Sequence, residues 1–119
     1  MNSKKLQIGL FGFGTVGKGL YDVLKRIGAT NVEIRRICVR DITKPRSIEA
    51  NFTDNPDEIF SDPEVNFIVE LIDDAEAAYT IVKTALMKRL PVVSGNKKML
   101  AYHIEELMEL QQQYNTALL

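Results

Sequence analysis

The sequence holds a single cysteine, Cys38, so no internal disulfide can form and the thiol fits a reducing compartment. Cys38 sits within an apolar run, which reads as a small core residue. There is one histidine, His103, with no cysteine or second histidine at ligand spacing, so no metal site is expected. No segment approaches the roughly 18 consecutive apolar residues of a membrane helix. The basic start MNSKK leads into a glycine pattern and not into a small-residue cleavage site, so it is not read as a signal peptide. Neither sign of charge is in excess: 15 Lys and Arg stand against 16 Asp and Glu, a net −1. That balance gives no electrostatic case for nucleic acid or an anionic membrane as partner. Repeats, low-complexity tracts and internal linkers are missing too. These absences leave one cytoplasmic globular domain of 119 residues, with an ordinary 45% hydrophobic and 26% charged content.

What is present is organised around Leu6 to Ile27, LQIGLFGFGTVGKGLYDVLKRI. An apolar run to Phe11 turns through Gly12, Phe13, Gly14, Thr15, Val16 and Gly17 and leaves as a helical pattern. Val16, Leu20, Val23, Leu24 and Ile27 are expected on its buried face. Strand, glycine turn and helix is the context in which G-x-G-x-x-G signals a dinucleotide. Gly12 turns the chain off the strand, Gly14 lets a pyrophosphate approach the backbone, and Gly17 lets the helix pack on the strand. The helix N–H groups and positive end then face the phosphates.

Val32, Ile34 and, after Arg35 and Arg36, Ile37-Cys38-Val39 predict a second strand ending near Arg40. Strand, helix and strand within about 35 residues make a βαβ unit with a parallel pair. Asp41 to Phe52 reads as a loop. Asn55-Pro56-Asp57-Glu58 starts a short helix that Ser61-Asp62-Pro63 stops. VNFIVELI, Val65 to Ile72, reads as a strand covered on both faces, broken only by Asn66 and Glu70. A helix over Ala75 to Arg89 follows, then a short strand from Pro91, a turn at Ser94-Gly95-Asn96, and a helix from about Lys98 to Tyr114. Leu100, Ile104, Leu107 and Met108 are spaced for that last helix's buried face, and Ala117-Leu118-Leu119 reads as the opening of another strand. The alternation predicts an α/β fold, a doubly wound parallel sheet of the Rossmann type in a single domain.

Ligands in such sheets sit at the carboxyl ends of the strands. Four places fall there: the glycine turn, Arg40-Asp41, Ile72-Asp73-Asp74 and Ser94-Gly95-Asn96-Lys97. Arg40 lies 23 positions beyond Gly17, where a dinucleotide fold reads the adenosine ribose. Asp41 could accept from a 2′-OH and favour NAD; Arg40, with Lys44 and Arg46 close behind, could pair with a 2′-phosphate and tilts the expectation to NADP. The alternative is a solvated loop with a surface ion pair. Lys97 and Lys98 stand near a helix start, which disfavours cations. Either an anionic ligand compensates, or the helix begins later and both are simply exposed. Asp73 and Asp74 read as a helix N-cap ahead of acid–base chemistry or magnesium.

The segments IGLFGFGTVGKGL, VRDITKPR, VNFIVELI and VVSGNKKMLA, in this order and spacing, resemble the N-terminal nucleotide-binding domain of homoserine dehydrogenase over Lys5 to Leu119. The last segment is the most specific. That family typically has Thr-Ala-Asn-Lys, matched here by Ser94-Gly95-Asn96-Lys97; where it usually has Glu-Leu-Ile-Gly-Gly, this chain has Glu70-Leu71-Ile72-Asp73-Asp74. The resemblance implies NAD(P)-dependent oxidation of L-homoserine to L-aspartate 4-semialdehyde, run in reverse in threonine and methionine biosynthesis. It implies cofactor contacts from Gly12, Phe13, Gly14, Thr15, Val16, Gly17, Arg40, Asp41, Ile72, Asp73, Ser94, Asn96 and Lys97, with Lys97 near the nicotinamide and substrate as the catalytic residue. It places the other catalytic groups and the dimer interface in a further substrate domain, so a homo-oligomer is expected only of the full-length enzyme. A chain that stops at the opening of a strand leaves a sheet edge and apolar surface uncovered. The expectation is therefore an N-terminal fragment, unable to turn over homoserine alone, with no aspartokinase module ahead of Met1. Two alternatives stay open: a stand-alone, non-catalytic dinucleotide-binding regulatory module, and a dehydrogenase of a related amino or hydroxy acid.

Overall fold

The computed structural model describes residues 5–28 and 30–119. Its elements run β1 (Leu6–Phe11), α1 (Thr15–Ile27), β2 (Val32–Cys38), β3 (Phe52–Thr53), α2 (Asp57–Phe60), β4 (Phe67–Glu70), α3 (Ala75–Met87), β5 (Val92–Ser94) and α4 (Lys97–Gln113). The strands form one parallel sheet in the order β3-β2-β1-β4-β5. The chain winds outward from β1 through β2 to β3, returns to β4 on β1's other side, and continues to β5. The order reverses between β1 and β4, so a crevice opens at their carboxyl ends. Beyond β5, Val92 N–H donates to Ala117 O (2.9 Å) and Leu119 N–H to Val92 O (2.8 Å), a parallel bridge at the place where the sequence predicts one more strand.

The faces of the sheet follow from alternation along the strands. Phe11, Cys38, Ile59, Ile68 and Val92 are buried on one face with Ala78, Val82, Ala85 and Leu86 of α3 and Met99 and Leu107 of α4. Ile8, Leu10, Ile37, Val39 and Val69 are buried on the other, with Leu20 and Tyr21 of α1 and Phe52 of β3 packed against them. β2 changes phase midway. Ile34 pairs with Ile8 but Arg36 with Gly9, so Arg35 is an extra residue against β1. This bulge keeps Ile34 and Ile37 in the same core layer although three positions separate them. It also sends both adjacent guanidinium groups to Asp62 Oδ2, each at 2.8 Å. Asp62 is itself nearly buried, and its carboxyl is held below the ordinary range despite that burial, by Glu64 N–H and both arginines.

Three expectations are corrected. α1 does not bury its whole apolar stripe: Gly17 is its only buried residue, and Val16, Val23 and Ile27 are 67%, 49% and 65% exposed. Only the side carrying Leu20 and Tyr21 packs against the sheet's core. α4 packs Leu100 and Leu107 on the core as expected, but Met99 is buried with them while Ile104 and Met108 are exposed; His103 stacks on Tyr79 of α3 at 4.0 Å. The loop from Asp41 contains one strand, β3, whose two residues pair with Ile37 and Cys38 and are too few to show a period. Cys38 is buried as expected, and burial first, then Asp54 and Glu58, push its thiol up to about 11.

Candidate functional site

The glycine turn is built by close contact. Gly12 has φ +98°, and a Cβ there would lie 2.5 Å from Leu71 O. A Cβ on Gly17 would lie 2.5 Å from Gly12 O, so only glycine lets α1 start this near the strand end. Gly12 N–H donates to Cys38 O (2.9 Å), which locks the turn to the end of β2. Phe13 turns its ring into the core, edge-on to Phe52 (5.3 Å) and Tyr21 (6.0 Å). Gly14 is the N-cap of α1 and offers no side-chain cap; a Cβ on it would meet nothing within 4 Å. Thr15 and Val16 are exposed, and no acidic residue occupies the first turn. The leading N–H groups of a helix have no partners within it. Here no side chain caps them and the space beside Gly14 is open, at the positive end of the helix dipole, where an anionic group is favoured.

On the β2 side, Arg40 and Asp41 are exposed just past the strand. Asp41 Oδ1 accepts from Thr43 Oγ1 (2.6 Å) and Thr43 N–H (3.0 Å), and these bonds hold its carboxyl below the ordinary range. The charge of Arg46 adds to the lowering of Asp41, while the side chain has partners of its own. Its Nη1 donates to Lys44 O (2.9 Å), and its guanidinium lies over the Phe52 ring at 4.9 Å.

On the β4 and β5 side, Asp74 is the N-cap of α3 and accepts from Glu76 N–H (3.3 Å), the role expected of it. Asn96 is the N-cap of α4, accepting from Met99 N–H (2.8 Å), while its Nδ2 donates to Ile72 O (3.0 Å) and Asp73 O (3.1 Å). α4 therefore starts at Lys97, and both Lys97 and Lys98 fall in a first turn that has no acidic residue. The helix does not begin beyond them, and both side chains are exposed. The residue that pattern reasoning passes over is Glu70, which is 0% exposed and bonded to Ser94 and Ile72. Its one signal is a carboxylate inside the apolar run VNFIVELI. The three clusters share one edge. Leu71 abuts Gly12, Gly95 N–H donates to Glu70 O (2.9 Å), and β2 and β5 stand three strand spacings apart, roughly 14 Å.

Other features lie elsewhere. A groove of about 550 Å³ lined by Tyr21, Leu24, Val32, Ile34 and Ala50 opens at the amino ends of β1 and β2, away from the glycine turn. Among the described residues no three His, Cys, Asp or Glu side chains gather to hold a metal ion, and no helix is long and apolar enough to cross a membrane.

Residues 12–119 match the family described as "Homoserine dehydrogenase, NAD binding domain". The chain belongs to that family. Homoserine dehydrogenase of Helicobacter pylori is 32% identical over 111 residues, 87% of this chain and 26% of that protein. The Lactococcus lactis homoserine dehydrogenase is 32% identical over 125 residues, 95% of this chain and 29% of its own length. Among solved structures, homoserine dehydrogenase of S. aureus at pH 6.0 superposes with a TM-score of 0.84 at 33% identity, over 98% of this chain and 33% of that one. A hyperthermophilic archaeal homoserine dehydrogenase mutant in complex with NADPH superposes with a TM-score of 0.78 at 25% identity, over 96% of this chain and 43% of that one. The chain thus spans between about a quarter and three tenths of the homoserine dehydrogenases of these two bacteria.

Proposed function

We propose that this chain is the cofactor-binding part of an NAD(P)-dependent homoserine dehydrogenase, interconverting L-homoserine and L-aspartate 4-semialdehyde in amino-acid biosynthesis. The observation that carries the reading is the uncapped α1 N-terminus behind Gly14, on the edge where β1 and β4 diverge. Gly12 to Gly17 would hold the pyrophosphate on backbone N–H groups. Arg40, exposed at the end of β2 with Lys44 and Arg46 close behind it, would pair with a 2′-phosphate, which favours NADP over NAD. Ile72, Asp73, Ser94 and Asn96 would line the nicotinamide half. Lys97, exposed at the first position of α4, would present its ammonium group to the substrate side as the catalytic residue of this chain. The bound dinucleotide supplies the hydride acceptor and donor. The substrate groups and the dimer contacts would come from the part of the relatives that this chain does not span. The 119 residues alone are expected to bind cofactor without turning over homoserine, since one domain does not fix both reacting centres. A cytoplasmic setting accords with the lone reduced Cys38.

The test is a calorimetric titration with NADPH and with NADH, repeated on Arg40→Ala. NADPH should bind more tightly, and the variant should lose about tenfold or more for NADPH, the worth of a charged hydrogen bond of about 1.5–3 kcal/mol, while keeping NADH. Equal affinities unaffected by the variant would remove Arg40 from the site. Failure of the wild type to bind either would overturn the cofactor reading.

A further inference from the structure

Glu70 is a fully buried carboxyl that the proposed function leaves unused. It ends β4, directly opposite Ser94 at the end of β5. Its oxygens are divided between two loops. Oε2 accepts from Ile72 N–H (2.7 Å), and Oε1 accepts from Ser94 Oγ (2.5 Å). Ser94 Oγ in turn accepts from Asn96 N–H (3.2 Å). Asn96 closes the ring by donating from Nδ2 to Ile72 O (3.0 Å) and Asp73 O (3.1 Å). The backbone joins in, with Gly95 N–H donating to Glu70 O (2.9 Å). The result is a closed hydrogen-bonded circuit from Glu70 through Ser94 and Asn96 to Ile72 and back.

A buried carboxyl is costly to keep out of water, and burial raises this one above the ordinary carboxylate range in spite of both bonds. A sheet core does not need it, since an apolar residue of similar size would fill the same space. What the carboxyl does that no apolar residue could is bind two strand-end loops together. Asn96 is both a member of the circuit and the N-cap of α4, so the circuit also sets where Lys97 starts the helix. The glycine turn is outside this circuit, held by Gly12 N–H on Cys38 O.

We propose that Glu70 is a positioning residue for the nicotinamide half of the site, holding the loops after β4 and β5, and with them Lys97, in one arrangement through Ser94 and Asn96. The inference rests on the cofactor reading above and adds a division of labour to it. The pyrophosphate and adenosine ends are built by the glycine turn and the end of β2, and the other end by the Glu70 circuit.

The experiment compares two probes on this 119-residue chain by calorimetry: NADPH, and 2′-phospho-ADP-ribose, which lacks the nicotinamide. Glu70→Ala cuts two hydrogen bonds and should weaken NADPH about tenfold or more while leaving 2′-phospho-ADP-ribose within about twofold. Glu70→Gln keeps an acceptor for Ile72 N–H and a donor towards Ser94, and should restore NADPH affinity to within about threefold of the wild type. Ser94→Ala breaks the circuit without emptying the core. It should reproduce the selective loss. If Glu70→Ala does not fold, Glu70→Asp decides the matter: it keeps a buried acid but withdraws it from Ile72 N–H and Ser94 Oγ, and should show the same selective loss. Variants that weaken both probes equally, or neither, would overturn the inference and leave the cofactor reading standing. A wild type that binds neither probe would overturn that reading and the inference with it.

Discussion

At the scale of single residues, the three glycines of the turn are not equivalent, and the difference separates folding from binding. Gly12 combines positive φ with a neighbouring carbonyl oxygen only 2.5 Å from where a Cβ would sit, so Gly12→Ala should lower stability by about 2 kcal/mol or more. Gly14 has φ −80° and open space where a side chain would go. Gly14→Ala should cost less than about 1 kcal/mol, the ordinary difference at an N-cap, yet abolish most dinucleotide binding by filling that space. Thermal denaturation beside calorimetry on the two variants checks this. If Gly14→Ala bound NADPH like the wild type, the phosphates would lie elsewhere. The same scale shows what spacing leaves out about Arg46. Chain distance puts it with Arg40 in the ribose region, but Arg46 finds a ring in Phe52 and a carbonyl in Lys44, partners that no local pattern reveals.

At the scale of elements, α3 ends at Met87, two residues before the expected Arg89, and its stop is made by a residue poorly suited to it. Arg89 sits at φ 60° while Leu90 N–H donates back to Ala85 O (2.9 Å). A left-handed residue after a helix is the place for glycine, so Arg89→Gly should stabilise the domain by up to about 1 kcal/mol, read as a rise in the denaturant midpoint at unchanged slope. Long elements are legible because each carries its own period or cap: the run before Gly12, and the Asp74 cap of α3. β3 is not, since two residues have no period and their pairing is decided by Ile37 and Cys38 far along the chain. The face of α4 is not either. Its sequence carries apolar residues on more than one side, and the choice between Met99 and Met108 depends on packing against α3 and the sheet. Of the candidate site, the positions are legible from strand ends, whereas the Glu70 circuit is not, because cross-strand partners depend on the β4–β5 register.

At the scale of the whole molecule, the sheet is covered unequally. α3 and α4 bury a continuous layer on one face, while α1 lies alone on the other with a single buried residue. Local opening is cheapest where few apolar contacts break. Backbone amides of α1 should therefore exchange with solvent well before those of α3, and NADPH should slow exchange most in the first turn of α1; mass-spectrometric hydrogen exchange reads both, and equal protection of the two helices would count against this uneven stability. β2 serves both faces by alternation, and the bulge at Arg35 keeps Ile34 and Ile37 on the same one. Strand length has a consequence there that it has nowhere else in β2. The pairs Ile8 with Ile34 and Gly9 with Arg36 are already in register on either side of Arg35, so removing that one codon would join two correctly phased halves and forfeit a single ion pair to Asp62. Removing Arg36 yields the same chain, since the two arginines are adjacent; removing Glu33 would instead carry Ile34 from core to solvent.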